Sequence, residues 1–186
     1  VNEQYFPVLF DADNDGDLDV AFTTYTHVAV LKNDGNGNFS GASSDLYSMN
    51  ESFSGGYAIA VGDFNEDGVK DMVVPNTDGM LLVLIGDKSN PGKYLRSIVN
   101  PSVPFGGPMV LWVFSIRVAD LNKDGHLDIV FGSPGSNPAN GAHIISLMGD
   151  GSGAFPSGFD LHLPELTGTP HDAAGINDVE LADGDG

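Results

Sequence analysis

Three stretches decide how this chain is read: Asp11-Ala12-Asp13-Asn14-Asp15-Gly16-Asp17-Leu18-Asp19, Asp63-Phe64-Asn65-Glu66-Asp67-Gly68-Val69-Lys70-Asp71, and Asp120-Leu121-Asn122-Lys123-Asp124-Gly125-His126-Leu127-Asp128. All three fit D-x-[DN]-x-D-G-x-x-D, and their starts lie 52 and 57 residues apart. Recurrence at a nearly fixed period marks a repeat architecture. A weaker fourth copy holds Asp183 and Asp185, but Leu181 stands where its first Asp belongs.

The flanks repeat with the loops. A short extended run precedes each one: Tyr5 to Phe10, Tyr57 to Gly62, Ser115 to Ala119 and Asp178 to Ala182. A β-rich run follows: Val20 to Phe22, Met72 to Val74, Ile129 to Phe131. Beyond a turn comes another: Val28 to Leu31, Met80 to Ile85, His143 to Met148. Then a Gly/Asn/Asp turn recurs at 33–39, 86–92 and 149–155, and a fourth strand is expected after each. Short β-branched and aromatic runs punctuated by Gly and Asn are the strand and hairpin signal. No stretch shows sustained helical periodicity.

Each unit therefore predicts about four antiparallel strands. One such sheet cannot bury both faces alone, so the units must stack. Radial stacking of four-stranded sheets is a β-propeller, which typically closes with about 4 to 8 blades; linear stacking is the weaker alternative. The expectation is an all-β chain of β-propeller blades, each of four antiparallel strands. It is a single propeller segment over 1–186 with repeats near 4–55, 56–112 and 113–175 and a truncated fourth at 176–186. A trimmed or partial propeller, with further blades from elsewhere, is the simplest form of it, as the chain opens on Val1 without a basic-then-apolar leader.

Composition narrows the function. Lys plus Arg number 7 against 26 Asp plus Glu, a net charge of −19. That excludes nucleic acid and anionic membrane surfaces as partners, since both require a basic face. No apolar run is long enough to predict membrane insertion. An apolar share of 41% is enough for a core. The absence of Cys removes disulfides, thiolate metal sites and thiol nucleophiles.

Several carboxylates within nine residues repel one another unless a cation compensates. Ca²⁺ takes about 6 to 8 oxygens at roughly 2.3–2.6 Å. Side chains at loop positions 1, 3 and 5 converge on one point where the chain turns sharply, and Gly at position 6 permits the turn. A carbonyl at position 7 and a carboxylate at position 9 close the shell. The predicted ligands are Asp11, Asp13, Asp15, Asp17 (carbonyl) and Asp19; Asp63, Asn65, Asp67, Val69 (carbonyl) and Asp71; and Asp120, Asn122, Asp124, His126 (carbonyl) and Asp128. About three Ca²⁺ ions are expected. Mg²⁺ is disfavoured because it demands a stricter, water-rich octahedron. The EF-hand shares the opening of this motif but needs an acid at position 12. That position is Phe22, Val74 or Phe131 here, inside a β-rich run. Ordinary acidic turns without metal are the bland alternative.

These loops and flanks, as in Ala58-Ile59-Ala60-Val61-Gly62-Asp63 and Leu127-Asp128-Ile129-Val130-Phe131-Gly132, resemble FG-GAP/VCBS repeats, the blades of integrin α-subunit-like propellers. The resemblance covers nearly the whole chain. It implies calcium in the loop joining the first two strands of a blade, an extracellular or cell-surface setting, and work in adhesion or in recognition of a protein or glycan ligand.

Little else carries chemistry. There is no G-x-S-x-G elbow, P-loop or G-x-G-x-x-G. The five His (His27, His126, His143, His162, His171) form no H-x-x-x-H pair, and the His126 ring is expected in solvent. No catalytic residue is assigned. A secreted polysaccharide-degrading enzyme is an alternative, but one with few cations for a polyanionic substrate. A structural bead that self-assembles through open ends is another. Trp112, Tyr25 and Tyr57 read as core before ligand platform, and Arg96 and Arg117 as solvated strand ends. Asn38 and Asn50 fit the N-glycosylation triplet. The irregular stretches 132–141 and 155–175 are expected to present a partner site.

Overall fold

The computed structural model describes residues 7–24, 26–39, 45–49, 58–75, 80–99, 113, 115–133, 142–163 and 179–182. Among them are twelve strands and no helix. The first sheet is β1 (Val8–Phe10), β2 (Asp19–Thr23), β3 (His27–Leu31) and β4 (Asp45–Ser48). The second is β5 (Ala60–Gly62), β6 (Asp71–Pro75), β7 (Leu81–Gly86) and β8 (Tyr94–Val99). The third is β9 (Ile116–Ala119), β10 (Asp128–Ser133), β11 (Ala142–Met148) and β12 (Ser157–Leu163). Every sheet runs in chain order, and every pairing is antiparallel. The chain is thus all-β, built of four-stranded meanders like partial propeller blades, with the expected fourth strand present in each.

The middle sheet explains the stacking. Its strands read as unbroken apolar runs, Met72-Val73-Val74 and Leu81-Leu82-Val83-Leu84, because both faces are covered. Met72, Val74, Leu82 and Leu84 pack with Phe10, Ala21, Val28 and Val30 of the first sheet. Val73, Leu81 and Val83 pack with Ile129, Phe131, Ile145 and Leu147 of the third. The strand period of two divides one run between two cores. The first strands gather on one side, with β5 touching both β1 and β9.

Residues 179–182, where an extended run was expected, join no sheet. Val179 N–H donates to Ser115 Oγ at 3.3 Å beside β9. Tyr25, Tyr57, Trp112, Asn50, His171, Asp183 and Asp185 lie outside the described residues, as do most of 132–141 and the later part of 155–175.

Phe155, wholly buried in the core between the second and third sheets, meets Phe64 edge to face at 5.6 Å. Phe155→Ala is expected to cost about 3–5 kcal/mol in urea unfolding. Phe159→Ala, at a side chain 64% exposed on β12, is expected to stay within about 0.5 kcal/mol.

Candidate metal centre

Each acidic loop joins the first two strands of its sheet, and a shared set of hydrogen bonds folds all three alike. The first-position carboxylate accepts from the N–H groups at positions 5 and 6. Asp11 takes Asp15 N at 3.1 Å and Gly16 N at 3.0 Å; Asp63 takes Asp67 N at 3.0 Å and Gly68 N at 2.9 Å; Asp120 takes Asp124 N at 3.1 Å and Gly125 N at 2.9 Å. The fifth-position carboxylate accepts from the N–H at position 7, at 2.8–2.9 Å in each loop. Two residues per loop are left-handed. The glycine at position 6 has φ of 95°, 88° and 95°. At position 4, Asn14, Glu66 and Lys123 have φ of 61°, 58° and 64°. The glycine was legible in the motif; the second left-handed turn, at Asn in one loop but at Glu and Lys in the others, was not.

The ninth position has a structural task. Asp19, Asp71 and Asp128 are completely buried at the head of the second strand. One oxygen accepts the N–H at loop position 2: Ala12 at 2.9 Å, Phe64 at 2.8 Å, Leu121 at 2.8 Å. The other accepts from the end of the third strand or the turn after it: Asn33 at 2.8 Å, Gly86 at 2.8 Å, Gly149 at 2.9 Å. Burial pushes the Asp71 carboxyl above its ordinary range, against the N–H groups of Gly86 and Phe64 that favour its ionised form. Gly86 and Gly149 are glycines because the loop backbone crosses them closely; a Cβ would strike Lys70 O and Leu127 O respectively.

In the first loop the carboxylates of Asp11, Asp13 and Asp15 bring one oxygen each within 4.8 Å of one another. Asp13 Oδ2 faces Lys32 Nζ at 3.2 Å. Asp13 Oδ1 is buried and has no hydrogen-bond partner among the described residues. In the other two loops position 3 is Asn. Asn65 Nδ2 donates to Asp67 Oδ2 at 3.1 Å and Asn122 Nδ2 to Asp124 Oδ2 at 2.8 Å, which relieves the crowding of charge. The N–H of His126, with the Asn122 amide after it, holds the Asp124 carboxyl below its usual range.

The loops also touch the next sheet. Gly153 N–H donates to Phe64 O at 2.9 Å. Lys32 reaches Pro91 O at 3.4 Å besides Asp13, while within the second sheet Lys88 Nζ donates to Asp67 O at 2.5 Å. The His126 ring is not in open solvent as expected: it is half-buried, with Nδ1 2.5 Å from Glu66 Oε1 in the second loop. The hydrogen bond to Glu66 raises the His126 pKa above its ordinary value, against partial desolvation. Lys32, Lys88 and Glu66 were missed because their partners lie across strand ends or sheets. Arg117 sits in β9 and donates to Ser115 Oγ at 2.9 Å and Ile116 O at 3.0 Å, so it is partly buried rather than a solvated strand end.

Two outcomes follow from this geometry. Space is open around a Cβ at Gly68, so Gly68→Ala is expected to cost only the left-handed backbone, about 1–2 kcal/mol. Gly149→Ala is expected to cost more in the same chemical denaturation, because it must also displace the loop. For His126 the folded pKa is raised, so its tie to Glu66 contributes fully below the unfolded value near about 6.5 and is lost as pH rises through the folded value. An NMR titration is expected to place the His126 midpoint above that of Glu66→Gln; coincident midpoints would refute the pairing.

Sequence comparison agrees with this layout. Residues 11–74 match the FG-GAP-like repeat and residues 112–148 the FG-GAP repeat. Similar proteins include "Phosphatidylinositol-glycan-specific phospholipase D" of Dictyostelium discoideum, 33% identical over 93 residues, which is 44% of this chain and 10% of that protein. "Integrin alpha-5" of Xenopus laevis is 37% identical over 81 residues, 42% of this chain and 7% of that protein. The matched part is thus a tenth or less of either relative. With the family matches falling on all three acidic loops and the strands beside them, the chain belongs to the FG-GAP repeat family.

Proposed function

We propose that this chain is a calcium-binding propeller module that works outside the cell as a rigid scaffold for recognising a protein or glycan ligand. The observation that carries the calcium reading is Asp13 Oδ1. It is a buried carboxylate oxygen with no hydrogen-bond partner among the described residues, on a residue clustered with two other carboxylates. An oxygen in that state is costly unless a cation takes its lone pair. The donors are hard oxygens, the set that Ca²⁺ prefers.

In this reading Asp11, Asp13, Asp15 and Asp19, with the Asp17 carbonyl, hold one ion. Asp63, Asn65, Asp67 and Asp71 with the Val69 carbonyl hold a second, and Asp120, Asn122, Asp124 and Asp128 with the His126 carbonyl a third. Bound calcium would neutralise the carboxylate repulsion and pin the loop that starts each second strand. The repeats near 4–55, 56–112 and 113–175 each supply one such loop, and 176–186 begins another. Extracellular modules bind Ca²⁺ at about 10⁻⁴ to 10⁻³ M, an affinity that keeps sites filled outside cells and empty in cytosol. The chain's own residues then act by position rather than by bond-making, and no catalytic role is assigned to them. The resemblance of one stretch to a protein named an integrin favours adhesion or recognition over chemistry.

Thermal unfolding in EDTA against about 10 mM CaCl₂ tests this. At about 100 times the dissociation constant each site adds about 2.7 kcal/mol, so a marked rise in Tm is expected with CaCl₂ and a much smaller one with MgCl₂. Asp13→Ala is expected to remove part of the rise. A Tm indifferent to chelation would end the proposal.

A further inference from the structure

The third sheet carries a second donor cluster at the end away from its acidic loop. The loop at 120–127 lies by Met148 and Ser157, whereas His143 is near the start of β11 and His162 near the end of β12. These two histidines are directly opposed in register. Their rings stack at 4.7 Å with planes 19° apart. His143 is largely buried, its side chain 8% exposed. Its Nδ1 lies 2.8 and 3.1 Å from the two oxygens of Asp160. An ionised carboxylate only accepts, so Nδ1 is the donating nitrogen of this pair and Nε2 is the one left to offer a lone pair to a ligand. That Nε2 is buried and makes no hydrogen bond among the described residues.

A buried nitrogen without a partner calls for an explanation. Metal-binding histidines share this arrangement: one ring nitrogen donates to a carboxylate that fixes tautomer and orientation, and the other faces the ion. We propose that His143 and His162 form a site for a first-row transition-metal dication such as Zn²⁺, with Asp160 as its positioning residue. Imidazole is a borderline ligand that suits zinc and its neighbours, whereas the acidic loops offer only hard oxygens. The two ends of the sheet would therefore select different ions. His162 is exposed, so rotation about its own torsions can bring a ring nitrogen beside His143 Nε2. Directly opposed residues have Cβ atoms about 4.5–5.5 Å apart, close enough for two Zn–N bonds of about 2.0–2.1 Å.

Zinc titration of the intact chain in excess calcium tests the site, read by calorimetry and by imidazole ¹⁵N shifts. The calcium background is the same for every variant, so the result does not depend on whether the acidic loops bind calcium. Wild type is expected to take up about one Zn²⁺ more than His162→Gln, a surface change that leaves the core intact. The His143 Nε2 resonance is expected to move with zinc. Asp160→Asn is expected to weaken the extra binding about 10–100-fold, with circular dichroism confirming the sheet. Identical zinc isotherms for wild type and His162→Gln, or an Nε2 resonance unmoved at saturation, would overturn the site. Undiminished affinity in Asp160→Asn would remove the positioning role.

Discussion

The arrangement that everything else rests on is a buried carboxylate gripped by two backbone N–H groups. Asp19, Asp71 and Asp128 each join the second residue of an acidic loop to a residue at the end of the third strand or in the turn after it. One side chain thereby fixes the loop, the head of the second strand and the exit of the third. A buried charge is tolerated because both oxygens are bonded, and its hydrogen bonds are of the stronger, charge-assisted kind. The same anchoring sets where the carboxylates at positions 1, 3 and 5 sit, so the fold and the candidate metal site share one frame.

The loops also hold the sheets to one another. A loop from one sheet meets the turn between third and fourth strands of the next: Phe64 and Glu66 against Gly151, Gly153 and Phe155, and Asp13 against Gly92. Leu121, the residue equivalent to Phe64 in the third loop, is 37% exposed. Phe64 has Phe155, from the turn of the following sheet, packed against it. Loop rigidity and sheet stacking are therefore coupled, and a cation that stiffened one loop would also brace the adjoining pair of sheets.

Much of this was legible in the sequence, for physical reasons that differ by element. The strands and their order could be read because the apolar runs have strand length and the Gly-rich turns recur in phase. The stacking could be read from Leu81-Leu82-Val83-Leu84, whose lack of alternation requires cover on both faces. The loop residues were legible because a fixed spacing maps onto a fixed turn. The role of the ninth position was only half visible: the motif marks an acid there, but its backbone clamp depends on Gly86 and Gly149 coming from another strand. The His126–Glu66 contact was invisible, since it joins residues 60 apart in sequence across two sheets. The His143–His162 pair is likewise set by the register of β11 against β12, which no local pattern records.

The outer faces of the stack extend the same logic. Leu9 and Leu46 on the first sheet, and Phe159 and Leu161 on the third, are exposed. Each sits where the alternation of its strand puts a side chain away from the shared cores. In the middle sheet the corresponding positions are the buried Met72, Val74, Leu82 and Leu84 or their opposites Val73, Leu81 and Val83. The chemistry of the outer faces is thus that of a blade interior, while their exposure is that of a surface. Large apolar side chains in such a setting favour further contact. A four-stranded sheet with two apolar faces is satisfied only as an inner member of a stack.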